Sequence, residues 1–173
     1  MTKWLSHRMV ERGIIKEEEQ ELYQFGIRNG MILLLNVVTA LVIGLLTEQL
    51  AVVAVFTLSF MVLRSYTGGY HSDGRIFCYL GSNLVLLVPV YTQAVFYKTS
   101  LARLLAVLLV SAGIIFLLSP MHSKNRKLDK EEQKHFGRKA RLIAALELAV
   151  LGILWHAGQI PYAYAVYTGI CIT

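Results

Sequence analysis

A chain whose apolar residues run for 17 to 22 positions at a stretch has few ways to fold, and this one does so three times, over 31–47, 76–97 and 101–120. A helix needs about 20 apolar residues to cross roughly 30 Å of hydrocarbon. The second and third blocks meet that length outright and the first reaches its lower limit. Shorter apolar blocks at 50–63, 142–155 and 160–173 each suit a span, a re-entrant piece or an interfacial helix. Over the 173 residues, 55% are hydrophobic and 16% charged, against about half and a quarter in an ordinary soluble domain. Such a composition excludes a disordered chain, a disulfide-stapled secreted domain and an ordinary cytosolic enzyme. The expected fold is all-α, one integral membrane domain over 1–173. It is a polytopic transmembrane bundle of six hydrophobic segments, four to six of them true spans, with an amphipathic N-terminal helical region.

Glu48 and Gln49 interrupt what would otherwise be a single helix over 31–63, about 50 Å long, so a two-pass hairpin turning at 47–49 is expected. Charge then sets the topology. With the N-terminus inside, the inner segments are 1–30, 64–75 and 121–141, carrying 5, 2 and 8 Lys and Arg, which is 15 of the 17. Only Lys98 and Arg103 fall near an outer turn. Positive residues gather on the cytoplasmic side, so six passes fit, with four passes and interfacial short blocks as the alternative. The net charge of +6 is accounted for by topology and anionic headgroups, without nucleic acid. No secretory signal peptide is visible, because the first apolar block begins near Gly30 and no small-residue cleavage site follows it.

Within 1–29, Trp4, Leu5, Met9, Ile14, Ile15, Leu22 and Phe25 recur at roughly helical intervals among charged residues. They predict amphipathic cytoplasmic helices on the inner leaflet or packed on the bundle. The segment 121–141 predicts a basic cytoplasmic loop held to anionic lipid, and it is also a surface suited to an acidic part of a substrate. Gly26-x3-Gly30 permits close helix contact and thus a homodimer.

One polar interruption concentrates chemistry. Between Arg64 and Cys78 lie Gly68, Gly69, His71, Asp73, Gly74 and Arg75. A thiolate is the nucleophilic form of cysteine, and a neighbouring imidazole removes its proton or stabilises the ion pair. On one continuous helix His71 and Cys78 would stand about 10.5 Å apart along the axis, too far for the roughly 3 Å contact of proton transfer. The backbone must therefore fold back between them, and Asp73-Gly74 is a turn signal. Cys78 would then occupy the first turns of the third span, where the positive end of the helix favours the thiolate, with Ser82 four residues on along the same face. Asp73 is a candidate to orient His71, or simply makes the turn. The bland alternative is a small buried cysteine and a histidine facing headgroups. Cys78 and Cys171 are too far apart to suggest a disulfide framework, and no metal-type Cys pair occurs.

The whole pattern, Arg64-x3-Gly68-Gly69-x-His71-x6-Cys78-x3-Ser82, resembles the signature of the accessory gene regulator B (AgrB) family, membrane-embedded cysteine endopeptidases of peptide quorum sensing. The likeness extends to the Glu-rich approach to the first span, the run of hydrophobic blocks and the basic loop opening at 120–127. It implies that His71 and Cys78 are the catalytic pair, and that Arg64, Gly68, Gly69 and Ser82 support them. It implies a precursor peptide as partner, cut near its C-terminus through a Cys thioester and closed to a thiolactone or lactone, with no cofactor or metal.

Other classes fit less well. His-Glu-x-x-His is absent, and His7, His122, His135 and His156 have no ligand partners at metal spacing. Glu131-Glu132 lacks the downstream arginine of the glutamate-based intramembrane protease signature. A phospholipid headgroup transferase would need several aspartates around Asp73-Gly74. The remaining rival is a non-enzymatic transporter or assembly factor, with Glu147 and Asn36 as intramembrane polar groups; interhelical hydrogen bonding or a place at the cytoplasmic edge explains both more simply.

Overall fold

The computed structural model describes residues 2–68, 75–120 and 130–173, with the side chains of residues 2, 29, 75–78 and 130 left aside. Among these residues the elements are seven α-helices and one short 3-10 turn: α1 (Thr2–Glu11), the turn Glu17–Glu19, α2 (Gln20–Leu46), α3 (Leu50–Thr67), α4 (Arg75–Lys98), α5 (Leu101–Leu118), α6 (Lys130–His156) and α7 (Ile160–Ile172). Four helical stretches are long and apolar enough to cross a membrane: Glu17–Leu46, Leu50–Thr67, Tyr79–Lys98 and Leu101–Leu118. The expected all-helical polytopic fold is therefore found.

Internal packing divides the chain into two units, Met1–Thr39 and Ala40–Thr173. In the first, Gly13 at φ 65° ends α1; its N–H donates to the Val10 carbonyl and the Ile14 N–H to the Met9 carbonyl, the paired bonds that let glycine terminate a helix. Ser6 is fully buried, donates to the Lys3 carbonyl and receives the Gln20 side-chain amide. Trp4, Leu5 and Ile14 stay exposed, with the Arg8 guanidinium 5.2 Å above the Trp4 ring. The N-terminal region is helical, as expected.

The second unit turns by the same chemistry. At 47–49 the Glu48 N–H donates to Leu45 and the Gln49 N–H to Gly44, and Glu48 takes φ 56°. Gly44 is needed because a Cβ there would lie 2.9 Å from the Leu50 Cα. Gly158 at φ 71° closes α6 in the same manner, with bonds from Gly158 to Trp155 and from Gln159 to Leu154.

Cross-helix contacts fix the directions. Ser59 meets Glu147, Thr92 meets Tyr164, Tyr167 meets Leu104 and Arg141 meets Phe116. Taken with Tyr66 beside Phe136 and Gly137 beside Pro120, these contacts run α6 antiparallel to α3 and α5, and the short turn at 157–159 sends α7 back along α6. At the centre lies α7, a short apolar helix, touching α3, α4, α5 and α6. Ala163, Tyr164, Ala165, Val166, Thr168, Gly169 and Ile170 are all buried, and both apolar cores draw on it. Small residues let neighbouring backbones approach where lipid offers no hydrophobic driving force between helices. Thirteen residues extend only about 20 Å, so α7 fills the bundle without the length of a full span.

α6 changes character midway. Lys134, Arg138, Lys139 and Arg141 are exposed on its first half; Leu142, Leu146, Val150 and Ile153 are exposed on its second. The buried stripe of Gly137, Ala140, Ala144 and Leu151 runs along both halves. A helix leaving hydrocarbon for a headgroup layer needs this composition.

Candidate active site

The end of α3 and the start of α4 frame the polar segment singled out in the sequence. Arg64 lies half-buried in the last turn of α3 and Thr67 is buried there. Gly68 follows at φ 74°, a left-handed conformation open to glycine at no steric cost, and its carbonyl accepts from the Thr67 hydroxyl at 3.3 Å. On the other side, α4 begins at Arg75, so the backbone of Cys78 falls in its first turn. The first N–H groups of a helix have no intrahelical acceptor and carry its positive end. Ser82 is half-buried one turn beyond Cys78, and Asn83 donates back to the Tyr79 carbonyl at 2.9 Å.

Gly69, His71 and Asp73, and the side chain of Cys78, lie outside the described residues. Of the residues expected to support the site, Arg64 lies in the last turn of α3, Gly68 caps it, and Ser82 stands on α4. Among the described residues, no three His, Cys, Asp or Glu come together as metal ligands.

α6 supplies a third wall that sequence reasoning missed. The Tyr66 ring lies 6.3 Å from that of Phe136, with the Lys139 ammonium 5.7 Å from its centroid. Gly137 is packed so closely that a Cβ would come within 3.1 Å of the Pro120 ring. Arg141 Nε donates to the Phe116 carbonyl at 3.0 Å, satisfying one of the last carbonyls of α5. A single signal existed for this wall: Tyr66 sits within the polar motif, and Phe136 is the one aromatic of the basic segment 121–141.

Glu147 and Asn36, the polar groups of the transporter alternative, are placed differently. Glu147 accepts a hydrogen bond from Ser59 at 2.9 Å. The buried Oδ1 of Asn36 has no hydrogen-bond partner among the described residues.

A family model described as accessory gene regulator B matches residues 1–173. The chain belongs to the AgrB family. Two relatives come from Clostridium perfringens. An AgrB-like protein of strain SM101 is 22% identical over 148 residues, 82% of this chain and 69% of the relative. AgrB-like protein 2 of strain 13 is 24% identical over 134 residues, 72% of this chain and 61% of the relative. No solved structure matches. AgrB membership ties the chain to accessory gene regulator quorum sensing, and its four apolar helices fit a membrane protein.

Proposed function

We propose that this AgrB-family protein is a multi-pass membrane cysteine endopeptidase that cleaves a quorum-sensing precursor peptide near its C-terminus and promotes its cyclisation. The observation carrying this reading is the family match along residues 1–173, on a chain that holds His71 and Cys78 within one membrane-boundary segment. His71 takes the Cys78 proton. The thiolate attacks the precursor carbonyl at the junction with its C-terminal tail, and the imidazolium returns the proton to the departing amine. An acyl-enzyme thioester remains. A thiol or hydroxyl within the bound precursor loses its proton to His71, attacks that thioester and closes the ring, releasing Cys78. A thioester conserves the energy of the cleaved acyl bond for ring closure, whereas hydrolysis would lose it. Water must therefore be kept from the intermediate, which a membrane-edge site favours.

The distribution of 15 of 17 basic residues supports a cytoplasmic N-terminus and a cytoplasmic active site. The precursor then arrives as an amphipathic helix along the anionic inner leaflet. Arg64 suits a backbone carbonyl of the substrate, and a homodimer through Gly26 and Gly30 is compatible with the open space beside both glycines. The test is co-expression with the precursor and mass spectrometry of the peptide products. Wild type yields the shortened peptide and Cys78→Ala and His71→Ala do not; a shortened peptide from both variants rejects the peptidase.

A further inference from the structure

Among the hydroxyls inside α3, before its last residue Thr67, which bonds to the Gly68 carbonyl, Ser59 departs from the pattern of its neighbours. Thr57 donates to the Val53 carbonyl and Ser65 to that of Met61, both at 2.7 Å, the backward bond a helical hydroxyl makes where no water competes. Ser59, between them and 8% exposed, reaches out of its helix to the Glu147 carboxyl on α6 at 2.9 Å. A third helix closes the site. A Cβ on Gly169 of α7 would lie 2.5 Å from Ser59 Oγ and 3.1 Å from Ser59 Cβ, so the α7 backbone presses directly on the hydroxyl. One serine, one carboxyl and one glycine thus join three helices at a point.

Helix spacing shows what that point holds. About two turns further along α3, Tyr66 meets Phe136 and Lys139 of α6. The antiparallel register between these contacts sets Arg64 level with Arg141. Ser59 and Glu147 lie roughly 8–9 Å deeper than this arginine level, among apolar side chains, where an ionisable residue is costly and rarely incidental. Beyond the arginines, α3 ends at Thr67 and hands the chain to the segment carrying His71.

We propose that Glu147 is a positioning residue: through Ser59, backed by Gly169, it fixes α3 against α6 and α7 and so sets where α3 delivers the His71 segment relative to Cys78. This rests on the peptidase reading above. What the junction requires of residue 147 is an acceptor for the Ser59 hydroxyl. An amide oxygen replaces a carboxyl oxygen in that role, and a leucine cannot. The space beside Gly169 is equally specific, because a methyl group there displaces Ser59 while leaving both polar partners in the chain.

The experiment uses the full chain in membranes with the co-expressed precursor, and measures cleavage rate against precursor level. Glu147→Leu, Ser59→Ala and Gly169→Ala are expected to lower kcat by about tenfold or more, the scale of a misplaced reacting group, with KM within about twofold of wild type. Glu147→Gln retains wild-type kcat, and Ser59→Ala combined with Glu147→Leu is no slower than the worse single variant. A second readout does not depend on cleavage. With Cys78 and Cys171 replaced by alanine, Tyr66→Cys and Phe136→Cys are joined by a short thiol crosslinker; Glu147→Leu reduces the yield and Glu147→Gln does not. Wild-type cleavage by Glu147→Leu, or a Glu147→Gln as slow as Glu147→Leu, overturns the positioning role. Unchanged crosslinking in Glu147→Leu overturns the lock even if wild type fails to cleave, whereas that failure by itself overturns the peptidase.

Discussion

Glu48 holds φ 56° where the chain reverses after α2, a left-handed conformation that costs a residue bearing a Cβ about 1–2 kcal/mol. Glycine removes that cost but loses about 0.5–1 kcal/mol more conformational entropy on folding. Glu48→Gly is therefore expected to stabilise the protein by roughly 0.5–1 kcal/mol, read as a higher melting temperature in detergent; an unchanged or lower one contradicts the turn geometry. The reversal itself was legible, because a charge at the centre of a 31–63 helix is untenable in hydrocarbon. That a glutamate would take the left-handed position was not, since Thr47, Glu48 and Gln49 contain no glycine or other turn former. Backbone donors to Leu45 and Gly44 make the turn, and backbone bonds leave no mark in side-chain pattern. Glu147 shows a similar division. Its place in an apolar block left an interhelical bond and a cytoplasmic-edge position both open, and the bond to Ser59 was not readable, because partner choice depends on which helix face α6 turns toward α3.

Element by element, α7 departs furthest from expectation. Its sequence fits a span, a re-entrant piece or an interfacial helix equally well, yet it is the buried centre of the second unit. Periodicity could not reveal this. In a bilayer the lipid-facing and protein-facing sides of a helix are both apolar, so an apolar run does not say which side is inside. The small residues Ala163, Ala165 and Gly169 were the available clue. Ala165 is fully buried in a core with Val53, Phe56 and Leu86, so Ala165→Leu forces α7 away from its neighbours and is expected to destabilise by about 1–3 kcal/mol. Leu109 on α5 is 71% exposed, and Leu109→Ala should change stability by no more than about 0.5 kcal/mol. Thermal unfolding of the two variants in the same detergent checks the pair; equal losses would mean that α7 is not central. α6 was half-read: its basic half was seen as a loop, and the helix continues through it because Gly137 and Ala140 pack against the bundle.

For the molecule as a whole, the four long apolar helices and the charge asymmetry make a topology that labelling decides. In a background without native cysteines, Ser100→Cys, between α4 and α5, should react with a membrane-impermeant maleimide in intact cells. Lys134→Cys should react only after permeabilisation. The reverse pattern would invert the protein and put the proposed site outside. The motif from Arg64 to Ser82 was legible at the level of residue type and spacing, and the structure supplies its frame: α3 ending at Gly68, α4 opening before Cys78 and α6 beside Tyr66. A peptidase of this kind must pass through a covalent intermediate, so the decisive measurement is mass spectrometry of the protein from cells making its precursor. The expected result is a hydroxylamine-labile acyl adduct of the tail-less precursor on the peptide containing Cys78, lost in Cys78→Ala. An adduct on Cys171, or a shortened peptide still produced by Cys78→Ala, would contradict it.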